Sequence, residues 1–245
     1  MSIAAVSHVL RQVATRILLP VAVLYGVMVG LGLLVTKVLD DVWPLTVEDT
    51  VNRQLEADRG GTANAVSLVF STIASTQAIV AVTAVVACIL VVTRRRWREP
   101  VFLIGAVTAQ AVVFLLTTLV IDRPRPAVEH MDVSPPTSSF PSGHTSAAIA
   151  LYCGLALLLA LHARRTSTRV AWWTLLVAIP LGVALTRMYR GMHHPSDLVG
   201  SLVNAGTCVV IMARGVLDRT VRWGREHVPG RRVARRRRPA SATAA

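Results

Sequence analysis

Two short stretches of the sequence concentrate residues able to do chemistry. One runs from Asp122-Arg-Pro-Arg-Pro126 to Phe140-Pro-Ser-Gly-His-Thr145, the other from Thr186 to Asp197. In the second, His193 precedes Pro195, a residue suited to the first position of a helix, so Asp197 falls in the first helical turn. A carboxylate is stable there and can reach back to the imidazole. Accepting from one ring nitrogen, it fixes the tautomer and leaves the other nitrogen as a nucleophile. Taken alone, the pair is better explained as a surface histidine beside a capping aspartate. In the first stretch, Pro141-Ser-Gly-His144 opens a helix. Ser142 can cap that helix or turn its hydroxyl to a ligand. Gly143 lets the backbone come close to an anion, which the free N–H groups and the helix dipole favour. Helix capping accounts for Pro-Ser-Gly by itself.

Arginine is the second signal. Its planar fork matches phosphate oxygens in bidentate fashion. Arg123 and Arg125 lie in the first stretch, Arg187 and Arg190 in the second. Asp122, Glu129 and Asp132 offer local counter-ions for the first pair, whereas Arg187 and Arg190 have few acidic neighbours in sequence except Asp197. Four such arginines call for an anionic partner. His194 reads as a residue at the helix start, and Tyr189 has no assigned role.

The elements that must position these residues are membrane helices. The chain has 245 residues, of which 53% are apolar and 16% charged, with mean hydropathy +0.55. That excludes an ordinary soluble domain, a disordered chain and a collagen-like fibre. Each of the three cysteines lies in an apolar block, so neither a disulfide framework nor a zinc site is indicated. Six blocks carry no charge: residues 17–36, 60–93, 101–121, 145–161, 170–186 and 198–213. A spanning helix needs roughly 20 apolar residues. The second block exceeds this, so its start, with Asn64, Ser67 and Ser71, is expected outside the hydrocarbon core. Pro180 is expected to kink the fifth. The first block is too long for a signal peptide and lacks a small-x-small cleavage site, so it reads as an uncleaved anchor.

Nineteen of the 26 basic residues fall in the N-terminal leader, the 94–98 and 164–169 loops and the tail from Arg214, and seven in the other loops. The positive-inside rule places the nineteen in the cytoplasm, with both termini, and the two chemical stretches at the outer face. The Arg-rich coding and compact six-span plan suggest the bacterial inner membrane. The basic tail reads as a topology signal that also touches anionic lipid rather than as a nucleic-acid site, since no aromatic interleaving accompanies it. In the acidic first outer loop, Thr46-Val-Glu-Asp49 looks like a capping box. It would open a short amphipathic helix with Val47, Val51 and Leu55 on one face, packed as a lid. The expected organisation is a leader (1–16), a six-span membrane domain (17–216) and a basic tail (217–245) without fixed structure.

The two stretches together resemble the type 2 phosphatidic acid phosphatase (PAP2) family, in the superfamily of membrane lipid phosphatases and vanadium haloperoxidases. That family shows Lys-x6-Arg-Pro, Pro-Ser-Gly-His and Ser-Arg-x5-His-x3-Asp. The second motif stands unchanged at Pro141–His144. The third stands as Thr186-Arg187, His193 and Asp197, with Thr for the leading Ser. The first is partial: Arg125-Pro126 is present, but Thr118 occupies the Lys position.

The resemblance implies an all-α, six-span transmembrane bundle with a PAP2/haloperoxidase-like core. It also implies roles. His193 attacks phosphorus to form a phosphohistidine, Asp197 orients it, and His144 protonates the leaving oxygen. Arg125, Arg187, Ser142 and the Gly143 N–H hold the phosphoryl oxygens. Arg123 substitutes for the missing Lys, while Thr118 offers one neutral hydroxyl. No metal or cofactor is expected, and a bell-shaped pH profile is. The partners are the bilayer and a lipid phosphate or diphosphate, of the phosphatidate or polyprenyl diphosphate class. The alternatives are an altered relative that binds or transports an anionic lipid or anion, and a metal site built from His144, His193, His194 and Asp197. A haloperoxidase is disfavoured, because those relatives are usually soluble.

Overall fold

The computed structural model describes residues 3–94, 97–134 and 136–218. The tail expected at 217–245 lies outside them from residue 219 onward. Among the described residues there is no strand, and six helices are long and apolar enough to cross a membrane. They are α1 (Val6–Val38), α4 (Thr76–Thr93), α5 (Arg98–Thr118), α6 (Gly143–His162), α7 (Thr166–Tyr189) and α8 (Pro195–Leu217). Two shorter helices, α2 (Glu48–Ala57) and α3 (Gly61–Ile73), lie between α1 and α4. The helix that contains α1 begins at Ile3, so the expected leader boundary at 16 falls inside a continuous helix. Helix α7 runs through Pro180 as one element.

The long uncharged block 60–93 is two helices, not one. The break follows from Ser75, whose Oγ accepts the Ala78 N–H at 3.3 Å and so caps α4. The 13 residues of α3 rise about 20 Å, short of the ~30 Å hydrocarbon core. Its polar residues are spent on the site described below.

Burial sorts the spans. The most apolar windows of α5, α6 and α8 are 44%, 56% and 50% buried, against 17%, 17% and 11% for α1, α4 and α7. The first three therefore form the centre, around Phe102, Leu103 and Leu151, with Phe140 wedged in from the α5–α6 loop. The outer three present exposed apolar residues such as Leu19, Val23, Val80, Leu175 and Leu181. Water would penalise that surface, whereas lipid does not.

Helix α2, the α5–α6 loop and the α7–α8 turn meet at one end of the bundle. The Asn52 amide donates to the His193 carbonyl at 3.1 Å, and Arg59 donates to the carbonyls of Tyr189 and Glu129 at 3.1 and 2.9 Å. At the other end His162 stands 3.4 Å from Glu99, joining the end of α6 to the start of α5. The two chemical stretches thus share one end, as an even number of spans requires.

Candidate active site

A cavity of about 730 Å³ opens at the end where the two stretches meet, between α3, α4, α5 and α6. Its polar end is formed by Arg125, Asp132, His144, Arg187 and His193; the remainder is largely apolar, with Ile79, Val107, Ala111 and Phe114. Gly143 belongs to this wall. A Cβ there would lie 2.9 Å from the Phe114 ring, so only glycine lets the start of α6 come this close to α5. His144 follows in the first turn and faces the same cavity.

His193 is held by the turn between α7 and α8. Gly191 makes that turn with φ +71°, and a Cβ would meet the Glu129 carbonyl oxygen at 2.6 Å. The Nδ1 atom of His193 lies 2.8 Å from the Ser139 carbonyl oxygen and 3.5 Å from Asp197 Oδ2. A carbonyl only accepts, so Nδ1 carries the proton and Nε2 holds the free lone pair. Burial pushes the imidazole pKa below its ordinary value, and Arg187 and Arg125 add to the lowering; the opposing pull of Asp197 does not offset them.

Asp197 is a fully buried hub, with Oδ2 3.5 Å from His193 Nδ1. Its Oδ2 accepts from Ser139 Oγ at 2.5 Å and from the His194 N–H at 2.8 Å, which caps α8. Its Oδ1 pairs with Arg123. Asp197 thus meets the expected nucleophile by its own charge contact and through Ser139, whose carbonyl is the closer partner of His193. No motif singles out Ser139, which is one of two serines preceding Phe140.

Arg123 is not in the cavity. Besides Asp197 it donates to Ser196 Oγ at 2.8 Å and to Glu48 Oε2 at 2.7 Å. Glu48 in turn accepts from the Ser196 N–H at 2.7 Å, close to the start of α8. The expected phosphate ligand is instead the cation of a buried network, because two carboxylates within reach claim its donors. The expected capping box at Thr46–Asp49 is also absent: α2 has no side-chain cap, and Glu48 is turned to Arg123 and Ser196. Helix α2 therefore clamps the α7–α8 turn instead of simply covering it.

The two arginines of the second stretch share one counter-ion. Arg187 donates to Asp132 Oδ2 at 2.6 Å and to Ser71 Oγ at 2.9 Å. Arg190 reaches Asp132 Oδ1 at 2.6 Å through NH2, and Ser67 Oγ at 3.0 Å through NH1. Burial raises the Asp132 pKa, but its bonds and charge contacts with Arg190 and Arg187 outweigh this and hold it below the ordinary carboxylate value. The polar residues of α3 noted in the sequence are thus partners of these arginines. Arg187 still has its Nε buried without a hydrogen-bond partner. Arg125 lines the cavity with NH1 bonded to the Met192 carbonyl at 2.8 Å, and burial lowers its pKa despite Asp197.

Two further expected ligands are placed elsewhere. Ser142 is fully buried, with Oγ 3.0 Å from Thr145 Oγ1 and accepting the Thr145 N–H at 3.4 Å; it caps α6. Thr118 is absent from the cavity lining, and its hydroxyl bonds back to the Leu115 carbonyl at 2.8 Å. Each hydroxyl is taken by local backbone, the usual competitor for Ser and Thr. His194 lies 3.4 Å from Asp49 of α2. The four-residue metal set is not assembled: among the described residues no group of three or more His, Cys, Asp or Glu could hold an ion.

Residues 99–220 match the family model of the PAP2 superfamily. No curated protein matches the chain in sequence. In structure it is similar to a transmembrane PAP2-type phosphatidylglycerolphosphate phosphatase from Bacillus subtilis, with TM-score 0.70 and 17% identity, over 83% of this chain and 97% of that one. It is also similar to LpxE of Aquifex aeolicus, with TM-score 0.54 and 22% identity, over 71% and 98%. With the intact Pro-Ser-Gly-His and Arg-x5-His-x3-Asp patterns on one cavity, this chain belongs to the PAP2 superfamily and has the six-span fold of its membrane phosphatases.

Proposed function

We propose that the protein is an integral membrane lipid phosphate phosphatase that works through a phosphohistidine at the extracytoplasmic face. The carrying observation is the two-part cavity. Cationic and imidazole groups occupy one end, and the rest is an apolar wall shared by α3, α4 and α5. Leu68, Val80 and Leu115 of that wall are each more than half exposed on the outside of the bundle. A lipid phosphate can therefore lodge its phosphoryl group at Arg125 and Arg187 while its chain runs toward the surrounding bilayer.

The chemistry follows from the groups present. His193 Nε2 attacks phosphorus as the ester P–O bond breaks, and His144 gives its proton to the departing oxygen. Water then attacks the phosphorus of the phosphohistidine, forming a new P–O bond as the N–P bond breaks. His144, now neutral, takes the water proton, Nε2 leaves, and orthophosphate and the dephosphorylated lipid are the products. Arg125, Arg187 and the N–H groups at the start of α6 stabilise charge on the equatorial oxygens, so the chain's own residues supply the positive charge. The distribution of basic residues supports the outer face.

Phosphate release from phosphatidate, phosphatidylglycerophosphate and a polyprenyl diphosphate tests this in detergent-solubilised protein with chelator present. Release lost in His193→Ala is expected. Chelator-sensitive release, or no release from any lipid by folded protein, would overturn the reading.

A further inference from the structure

We infer that the cavity is matched to a phosphomonoester dianion rather than a diphosphate, and that Asp132 sets this choice; the inference rests on the phosphatase reading above. The first observation is which cations line the cavity. The two outer stretches offer four arginines, and the family pattern adds a Lys where this chain has Thr118. Arg123 is locked between Glu48 and Asp197. Arg190 is occupied by Asp132, Ser67 and the Met131 carbonyl, and does not line the cavity. Thr118 is turned to its own helix. Among the described residues, Arg125 and Arg187 are the arginines that line the cavity, and Arg187 Nε is buried there without a hydrogen-bond partner. Two guanidinium groups suit one phosphoryl group, and among the described residues no second pair lines the cavity.

The second observation is Asp132 itself. It is the one acidic residue among the described residues that line the cavity. Its carboxylate sits directly on Arg187, 2.6 Å from NH1, and also accepts from Ser71 Oγ at 3.3 Å. With His144 carrying the proton that it gives up, the cavity-lining Arg125, Arg187 and His144 against Asp132 leave two net positive charges. A monoester dianion neutralises these. A diphosphate monoester brings a further negative charge into a buried site next to Asp132, where like charges repel strongly. Asp132 thus orders Arg187 and Arg190, and it also limits the charge that the site accepts.

The test compares phosphatidate with farnesyl diphosphate as substrates, and orthophosphate with pyrophosphate as inhibitors, for wild type, Asp132→Asn and Asp132→Glu. Wild type is expected to favour the monoester at least tenfold in kcat/KM and to bind orthophosphate more tightly than pyrophosphate. In Asp132→Asn that preference should shrink at least fivefold, mainly through a lower KM for the diphosphate, and Asp132→Glu should restore it. A wild type that prefers the diphosphate, or a folded Asp132→Asn protein with both ratios unmoved, would overturn the inference and leave the phosphatase reading intact. Should Asp132→Asn not fold, the wild-type substrate and inhibitor ratios decide alone. Absence of release from both lipids would instead refute the phosphatase reading, and this inference with it.

Discussion

The ring Nδ1 of His193 lies 2.8 Å from the Ser139 carbonyl oxygen, closer than any atom of Asp197. The carbonyl fixes the tautomer, and Asp197 fixes the serine through its hydroxyl. Ser139→Ala keeps the carbonyl but removes that charged hydrogen bond, worth about 1.5–3 kcal/mol. We expect kcat to fall roughly 10- to 100-fold at nearly constant KM. Steady-state kinetics on a short-chain phosphatidate check it; an unchanged kcat would show that Asp197 acts on His193 without the serine.

Arg187, Arg125 and Arg123 should separate by readout. Arg187→Ala removes a cavity cation and should lower kcat roughly 10²- to 10³-fold, the scale of losing a transition-state donor. Arg125→Ala should act mainly on kcat/KM, by roughly 10- to 100-fold. Arg123→Ala leaves Glu48 and Asp197 buried without their cation, and should destabilise the fold by about 3–5 kcal/mol. Thermal unfolding in detergent beside the kinetics distinguishes them. An Arg123→Ala protein of normal stability with a raised KM would return that residue to the phosphate site.

The pH behaviour of activity follows from His193, whose folded pKa is pushed below the ordinary 6.5 by burial. The nucleophile therefore stays neutral as pH drops past that value. The acid limb of kcat/KM should lie below pH 6.5, and an acid limb above it would show that another group controls attack.

Stability should respond to pH in two stages. Below about 6.5 the unfolded chain takes up a proton that folded His193 refuses, so stability declines from there. Asp132 has a folded pKa below 3.8; its contribution is full above that value and is lost as pH falls through the folded one. Chemical unfolding between pH 8 and 3 checks both stages, and a stability maximum below pH 5 would contradict them.

Thr118 replaces a family lysine, yet its hydroxyl serves only its own helix. Thr118→Ala should change kcat/KM by no more than about twofold, as for a position whose hydroxyl bonds only within its own helix. A larger loss would put the hydroxyl at the substrate.

Much of this was legible in the sequence because its causes are local. Uncharged blocks of spanning length announce membrane helices, and Pro-Ser-Gly-His and His-x3-Asp each sit at a helix start that holds them together. The break at Ser75 was hidden, because a serine cap inside a long apolar block carries no charge and no proline. The partners of Arg123, Arg187 and Arg190 were hidden for another reason. Glu48, Ser71 and Asp132 lie 75, 116 and 58 residues away along the chain from the arginines they bind. Sequence spacing shows which residues can bind phosphate, whereas tertiary packing decides which have been claimed by a carboxylate first.

A covalent intermediate on His193 can be trapped directly by rapid quenching. Protein mixed with ³²P-labelled phosphatidate and quenched in alkali, where phosphohistidine survives, should carry label that maps to the peptide containing His193. The label should disappear on acid treatment and be absent from His193→Ala. Turnover by wild-type protein with no label on His193 at any quench time, or label that persists in His193→Ala, would contradict the account.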